Sequence, residues 1–224
     1  MANPVITQND ISSVVLRDPT FRDATIYFSG ADTFAEGTIL GQINGTFGTP
    51  VAGGTNTGNG TVSDYSVTAP TINGNWSIIC TGTDTDGGDF NLLDPDDNVM
   101  LSFSLAAGSA AVEAFGLKFT VNDGSTDFAV DDTFTFPISN SGYYTIYTPG
   151  ASDGTNVPVA ILLQDITVTG AGTELSRILV SGYVDKAKLI VDGGTAIGTY
   201  EIEKLEDVEI FVESGIENTE QDNS

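Results

Sequence analysis

Histidine is absent from these 224 residues, cysteine occurs once, and only 7 basic side chains stand against 31 acidic ones. Each shortage excludes something. Without histidine there is no Ser-His-Asp or Cys-His nucleophile and no His-ligated zinc or haem. An enzyme would have to work through carboxylate, Lys or Tyr chemistry, and no motif for that chemistry is present, so no catalytic residues and no cofactor are expected. The lone Cys80 cannot form an internal disulfide, and the fold must rest on its core. A formal net charge of −24 repels phosphate backbones. The cations Arg17, Arg22, Lys118, Arg177, Lys186, Lys188 and Lys204 are too scattered to make a basic face, so no nucleic-acid partner is expected. No apolar run reaches the roughly 18 residues of a membrane span. Met1–Ser13 also lacks the basic and then apolar order of a signal peptide, and the expectation is a soluble chain with no membrane partner.

What is present is a strand-and-turn rhythm. Thr, Val, Ile and aromatic residues come in short bursts bounded by Gly, Asn and Asp, which predicts a mainly β fold. Strands are expected at Thr25–Phe28, Thr38–Ile43, Trp76–Thr81, Leu117–Val121, Phe134–Ile138 and Tyr143–Tyr147. Val159–Leu163 is apolar on both faces and reads as a central strand; Leu175–Tyr183 alternates. One short helix is expected at Thr199–Val208, around Ile202 and Leu205, with a strand from Val208 to Val212 after it. Trp76, Ile78 and Cys80 share one face, so Trp76 reads as a core anchor rather than a sugar-stacking platform, and Cys80 as a buried thiol.

Composition divides the chain. Asn44–Gly60, rich in Gly, Thr and Asn, reads as a linker, and Ser139–Gly142 as a second. The expected organisation is a flexible arm at 1-13, a discontinuous β-rich domain at 14-47 and 141-213, a β-sandwich inserted at 48-140, and an acidic tail at 214-224. The arm holds Pro4, Val5, Ile6 and Ile11 as its only apolar anchors. Alone it cannot bury enough to order, but it could add as a strand to an exposed sheet edge.

Oxygen-rich clusters occur at Asp84, Asp86 and Asp89, and at Asp94, Asp96, Asp97 and Asn98. Asp84, Asp86 and Asp89 are Ca²⁺ candidates, although neither cluster has the EF-hand spacing or its closing Glu. Solvated turn residues are the simpler reading.

Several motifs follow one another in a recognisable order. Glu36–Ile43 reads EGTILGQI; after the long insertion come Gly142-Tyr143-Tyr144, then Ser152-Asp153-Gly154 leading into Pro158-Val159-Ala160-Ile161-Leu162, then Ile178–Val184 and Ala187-Lys188-Leu189. This succession resembles the head decoration (capsid cement) proteins of tailed bacteriophages, the lambda-type family. The segment from about Gly48 to Asn140, which the smallest members of that family lack, is similar to the Ig-like or β-sandwich insertions of phage structural proteins. The resemblance implies a virion protein on the outer capsid surface, made in the host cytoplasm, that stabilises the shell. Its partners would be the major capsid protein and two further copies in a homotrimer at local three-fold positions, with the N-terminal arm ordering against the shell. The other reading is an adhesion or carbohydrate-binding module whose insertion meets a host surface glycan.

Overall fold

The computed structural model describes residues 13–106 and 108–214. Its strands are β1 (Val15–Phe28), β2 (Asp32–Phe34) and β3 (Ile39–Gln42), followed by β4 (Thr46–Phe47), β5 (Val51–Ala52), β6 (Thr61–Val67), β7 (Gly74–Asp84) and β8 (Gly87–Leu93). Then come β9 (Val99–Leu105), β10 (Ser109–Ala114), β11 (Leu117–Asn122), β12 (Thr133–Ser139), β13 (Tyr144–Ile146), β14 (Pro158–Leu162), β15 (Ile166–Val168) and β16 (Gly172–Asp185). The helix α1 (Thr199–Asp207) and β17 (Ile210–Glu213) complete the order. The chain forms two compact units, one ending at Gln42 and resuming at Tyr144, the other spanning Ile43–Tyr143.

The first unit is built on a sheet ordered β1-β13-β3-β14-β16-β17, and β1 also pairs with β16. That extra ladder closes five of the strands into a small barrel and leaves β17, parallel to β16, at the end of the sheet. The apolar run at 158–162 lies between β3 and β16, where both faces must be covered. Alternation along the strands sorts the core by face. Ile39, Ile161 and Leu179 pack with Leu205 of α1 and with Leu189, Val191 and Ile197. Their neighbours Leu40, Ala160, Leu162 and Ile178 pack with Phe34 of β2 and Ile166 of β15. The helix is anchored at Glu201, whose Oε2 accepts the Gly198 N–H at 2.9 Å and whose Oε1 accepts the Tyr147 hydroxyl at 3.0 Å. Burial, and then the Glu201 carboxylate, push the Tyr147 phenol up to about 12. Val208, expected to start the last strand, is the helix C-cap; the chain reverses at Glu209, with φ 64°, and pairing begins at Ile210.

The second unit faces a three-stranded sheet, β10-β11-β6, with a larger one, β4-β12-β7-β8-β9, on which β5 also pairs with β12. One core joins them: Trp76, Ile78, Cys80, Phe90, Leu92, Phe134 and Phe136 from the larger sheet, and Val112, Leu117, Phe119 and Val121 from the smaller. This is the two-layer sandwich that alternating inward residues produce. Trp76 is fully buried, and its Nε1 donates to the Ile72 carbonyl at 2.9 Å, so it is unavailable as a stacking platform.

Both segments read as linkers are structured, which corrects that expectation. Phe47 of β4 stacks on Phe136 at 4.3 Å between ring centroids, and β4 and β5 pair with β12. The rest of the first segment is held by side chains: Asp132 accepts the N–H groups of Thr57 and Gly58, and Asn56 Nδ2 donates to the Thr133 carbonyl. Within the second, Ser139 ends β12, and Ser141 is buried and bonded to Thr71 and Asn73. Polar side chains can satisfy a glycine-rich backbone without apolar packing.

Candidate functional site

The arm residues Pro4, Val5, Ile6 and Ile11 lie outside the described residues. The point from which they depart is fixed. Ser13 donates from its N–H and its hydroxyl to Glu36 Oε1, at 2.6 and 2.9 Å. Val14 is buried in the core under α1, and its carbonyl accepts the Asp185 N–H at 2.9 Å. The other described end comes to the same place: Val15 and Val212 both pair with Val184, from opposite sides of β16, and Glu213 pairs with Asp185.

Beside these two ends runs a groove of about 770 Å³. Its lining includes Asp185, Lys186, Leu189, Ile197 and Ser214. Next to it, Arg17 lies 3.8 Å over the Tyr183 ring and reaches Glu213 at 2.7 Å, while Tyr183 stacks on Phe211 of β17 at 5.0 Å. The end of the barrel where the chain enters and leaves thus carries an edge strand, an aromatic pair and a part-apolar groove.

The motif residues occupy points where backbones meet. Gly37 has φ +89°, and a Cβ there would collide with the Lys188 carbonyl. A Cβ on Gly41 would fall 2.5–2.8 Å from the backbone of Thr155. Asp153 Oδ1 accepts the Thr155 hydroxyl at 2.6 Å and its N–H at 3.1 Å, and Gly154 turns the chain with φ 97°. Thr155 is thereby seated on Gly41, and Pro158 opens β14 opposite the same glycine, at a strand start where its missing N–H is tolerated. Gly182, with φ +135°, gives room to the Asp18–Pro19 bulge of β1. Asp153, Gly154 and Pro158 therefore shape the turn into β14 through contacts within the barrel unit, while Ser152 beside them is exposed.

Of the acidic candidates, Asp84 Oδ1 accepts the adjacent Thr85 N–H, and Asp89 Oδ1 accepts the Ser104 hydroxyl at 2.6 Å. Asp86 instead lies close to Asp123 and Asp127, with ligand oxygens all within 4.8 Å of one another. The three come from separate loops at one end of the two facing sheets, so no local pattern in the sequence groups them. Asp94 closes its own turn by accepting from the backbones of Asp96 and Asn98 and from the Asn98 side chain. The Asn98 side chain, then its N–H, hold the Asp94 carboxyl below its ordinary value. Burial raises the Cys80 thiol above its usual value, and its Sγ lies 3.4 Å from the Gly82 carbonyl. Among the described residues no helix is long and apolar enough to cross a membrane.

These features define a mainly β protein whose recognisable motif packs the turn before β14 against β3. Residues 17–199 match the family described as bacteriophage lambda head decoration protein D, and the chain belongs to that family of structural phage head proteins. No curated protein matches the chain. Among solved structures it is similar in part to FlgL of Xanthomonas campestris, in two crystal forms. One is 21% identical, with a TM-score of 0.34 over 47% of this chain and 32% of that one; the other is 20% identical, with a TM-score of 0.34 over 45% and 31%. The flagellar junction protein FlgL from Legionella pneumophila is 19% identical, with a TM-score of 0.30 over 47% of this chain and 34% of that one. The chain thus spans about a third of the length of these structures, and neither its fold nor its role follows from them.

Proposed function

We propose that this chain decorates the outer face of a bacteriophage capsid, binding the major capsid protein as a homotrimer at local three-fold positions and stabilising the shell. The family match over residues 17–199 carries this reading. The arm, residues 1–13, orders as an added strand against the shell. Its anchorage at Ser13 and Val14, next to the terminal strand β17, supports an arm that starts from a fixed point and reaches outward. Trimerisation enlarges the modest core of a barrel unit of little more than 100 residues. The charge of −24 keeps the body away from packaged DNA. Unit 2, with twelve acidic residues and Lys118 as its single base, is displayed toward solvent. Co-sedimentation with purified empty shells tests the reading, with light scattering for the trimer. Saturable binding is expected; shells that pellet bare overturn it.

A further inference from the structure

The geometry points to a calcium site in the sandwich unit, made by Asp86, Asp123 and Asp127. Asp86 sits in the β7–β8 turn, Asp123 directly follows β11, and Asp127 lies in the loop that leads to β12. Backbone bonds hold the three segments in place. Asp123 N–H donates to the Gly108 carbonyl and Gly108 N–H to the Asp86 carbonyl, both at 2.9 Å; Asp86 N–H points at Asp127 Oδ1, at 3.4 Å.

Two independent observations converge here. The ligand oxygens lie within 4.8 Å of one another, close enough for small side-chain adjustments to bring all three to the roughly 2.3–2.6 Å of a Ca²⁺–oxygen bond. Ca²⁺, with its flexible shell of about 6–8 oxygens, suits carboxylates gathered from three loops better than Mg²⁺, which demands near-ideal octahedral geometry at about 2.0–2.1 Å. Second, both carboxylate oxygens of Asp123 are shut off from solvent and accept no hydrogen bond. An anion in that position is strongly unfavourable unless a cation meets it. The unit's single base cannot serve: Lys118 is near the opposite end of β11, paired across the ladder with Glu113. A divalent ion reached by Asp123 from within and by the exposed Asp86 and Asp127 from outside supplies the missing partner, with water completing its shell. It would pin the loop after β11 to the β7–β8 turn, and so tie the two sheets together at one end.

The test uses the full-length chain, stripped with EDTA and dialysed. Isothermal calorimetry with CaCl₂ should show one site per chain, and the melting midpoint should rise by about 5 °C between EDTA and saturating Ca²⁺. Asp123→Asn should abolish both responses while melting no lower than the parent in EDTA, because it removes the unpaired charge. Asp64→Asn, a carboxylate on β6 outside the site, should keep both. Absence of heat and of any midpoint shift up to about 10 mM Ca²⁺, beyond the weak end of protein calcium sites, overturns the inference. So does a response that survives Asp123→Asn. Should Asp123→Asn fail to fold, the exposed Asp127→Asn takes its place, and a response unchanged in that variant overturns the assignment. Calcium binding by the free chain needs no capsid, so its outcome is separate from that of shell binding.

Discussion

Gln42 and Tyr144 are cross-strand partners on β3 and β13, and Gln42 Nε2 lies 3.4 Å from the Tyr144 hydroxyl oxygen. All of residues 43–143 is strung between two neighbours on one ladder. The barrel unit therefore meets the sandwich unit in sequence at the place where a hairpin turn would otherwise stand.

Replacing residues 43–143 by Asn-Gly should accordingly give a folded barrel, since a two-residue type I′ turn closes an antiparallel pair of this kind. Circular dichroism and a cooperative thermal transition check it. An insoluble or non-cooperative product would mean that the barrel depends on the sandwich.

The sandwich should be sensitive to acid. Burial pushes the Asp132 carboxyl up, but the N–H groups of Ala129, Thr57 and Gly58 outweigh it and hold the group below its ordinary value; Asp94 is lowered as well. Depressed aspartates contribute stability that is complete above the unfolded value of about 3.9. That contribution is lost as pH falls through the lower folded values. Trp76, the one tryptophan and a core residue of this unit, should report unfolding that sets in below about pH 4. Asp132→Ala, which takes the carboxylate from the part-buried N–H groups of Thr57, Gly58 and Ala129, should cost about 1–2 kcal/mol in urea at neutral pH.

Phe115 and Gly116 form the β10–β11 turn with φ 53° and 77°. The left-handed region suits Asn far better than an aromatic residue, and the Phe115 side chain is exposed. Phe115→Asn should therefore stabilise the unit by about 1 kcal/mol. An unchanged or lower urea midpoint would show that the ring makes a contact worth the strain.

Elements with a strong local signal were legible in the sequence. Val159–Leu163 declared a central strand by being apolar on both faces, and Ile202 with Leu205 marked a helix that the structure places at Thr199–Asp207. The first half of β1 was not legible. Arg17, Asp18, Pro19 and Arg22 lie on a largely exposed ribbon, with register breaks between Val15 and Phe21, and that stretch is held by its ladder to β16 rather than by an apolar face. Asn44–Gly60 misled for a related reason: its order comes from Asp132, Asn56 and Phe47, whose partners are distant in sequence. The acidic site escaped because Asp86 meets Asp123 and Asp127 only where loops of the two facing sheets come together, whereas local reading grouped it with Asp84 and Asp89.

Removing residues 1–12 should leave the barrel intact, because Ser13 and Val14 keep their bonds to Glu36 and Asp185. Circular dichroism and the melting midpoint should match those of the full chain. Any large loss of stability would assign those residues to the fold instead of to a partner.

The most direct measurement is co-sedimentation of the full chain and of this truncated form with empty phage shells, quantified per capsid subunit. The full chain should bind saturably with one copy per major capsid protein subunit, as trimers at three-fold positions require, and the truncated form should bind weakly or not at all. Shells that remain bare with the intact protein would contradict decoration itself; equal binding by both forms would contradict the arm as the means of attachment.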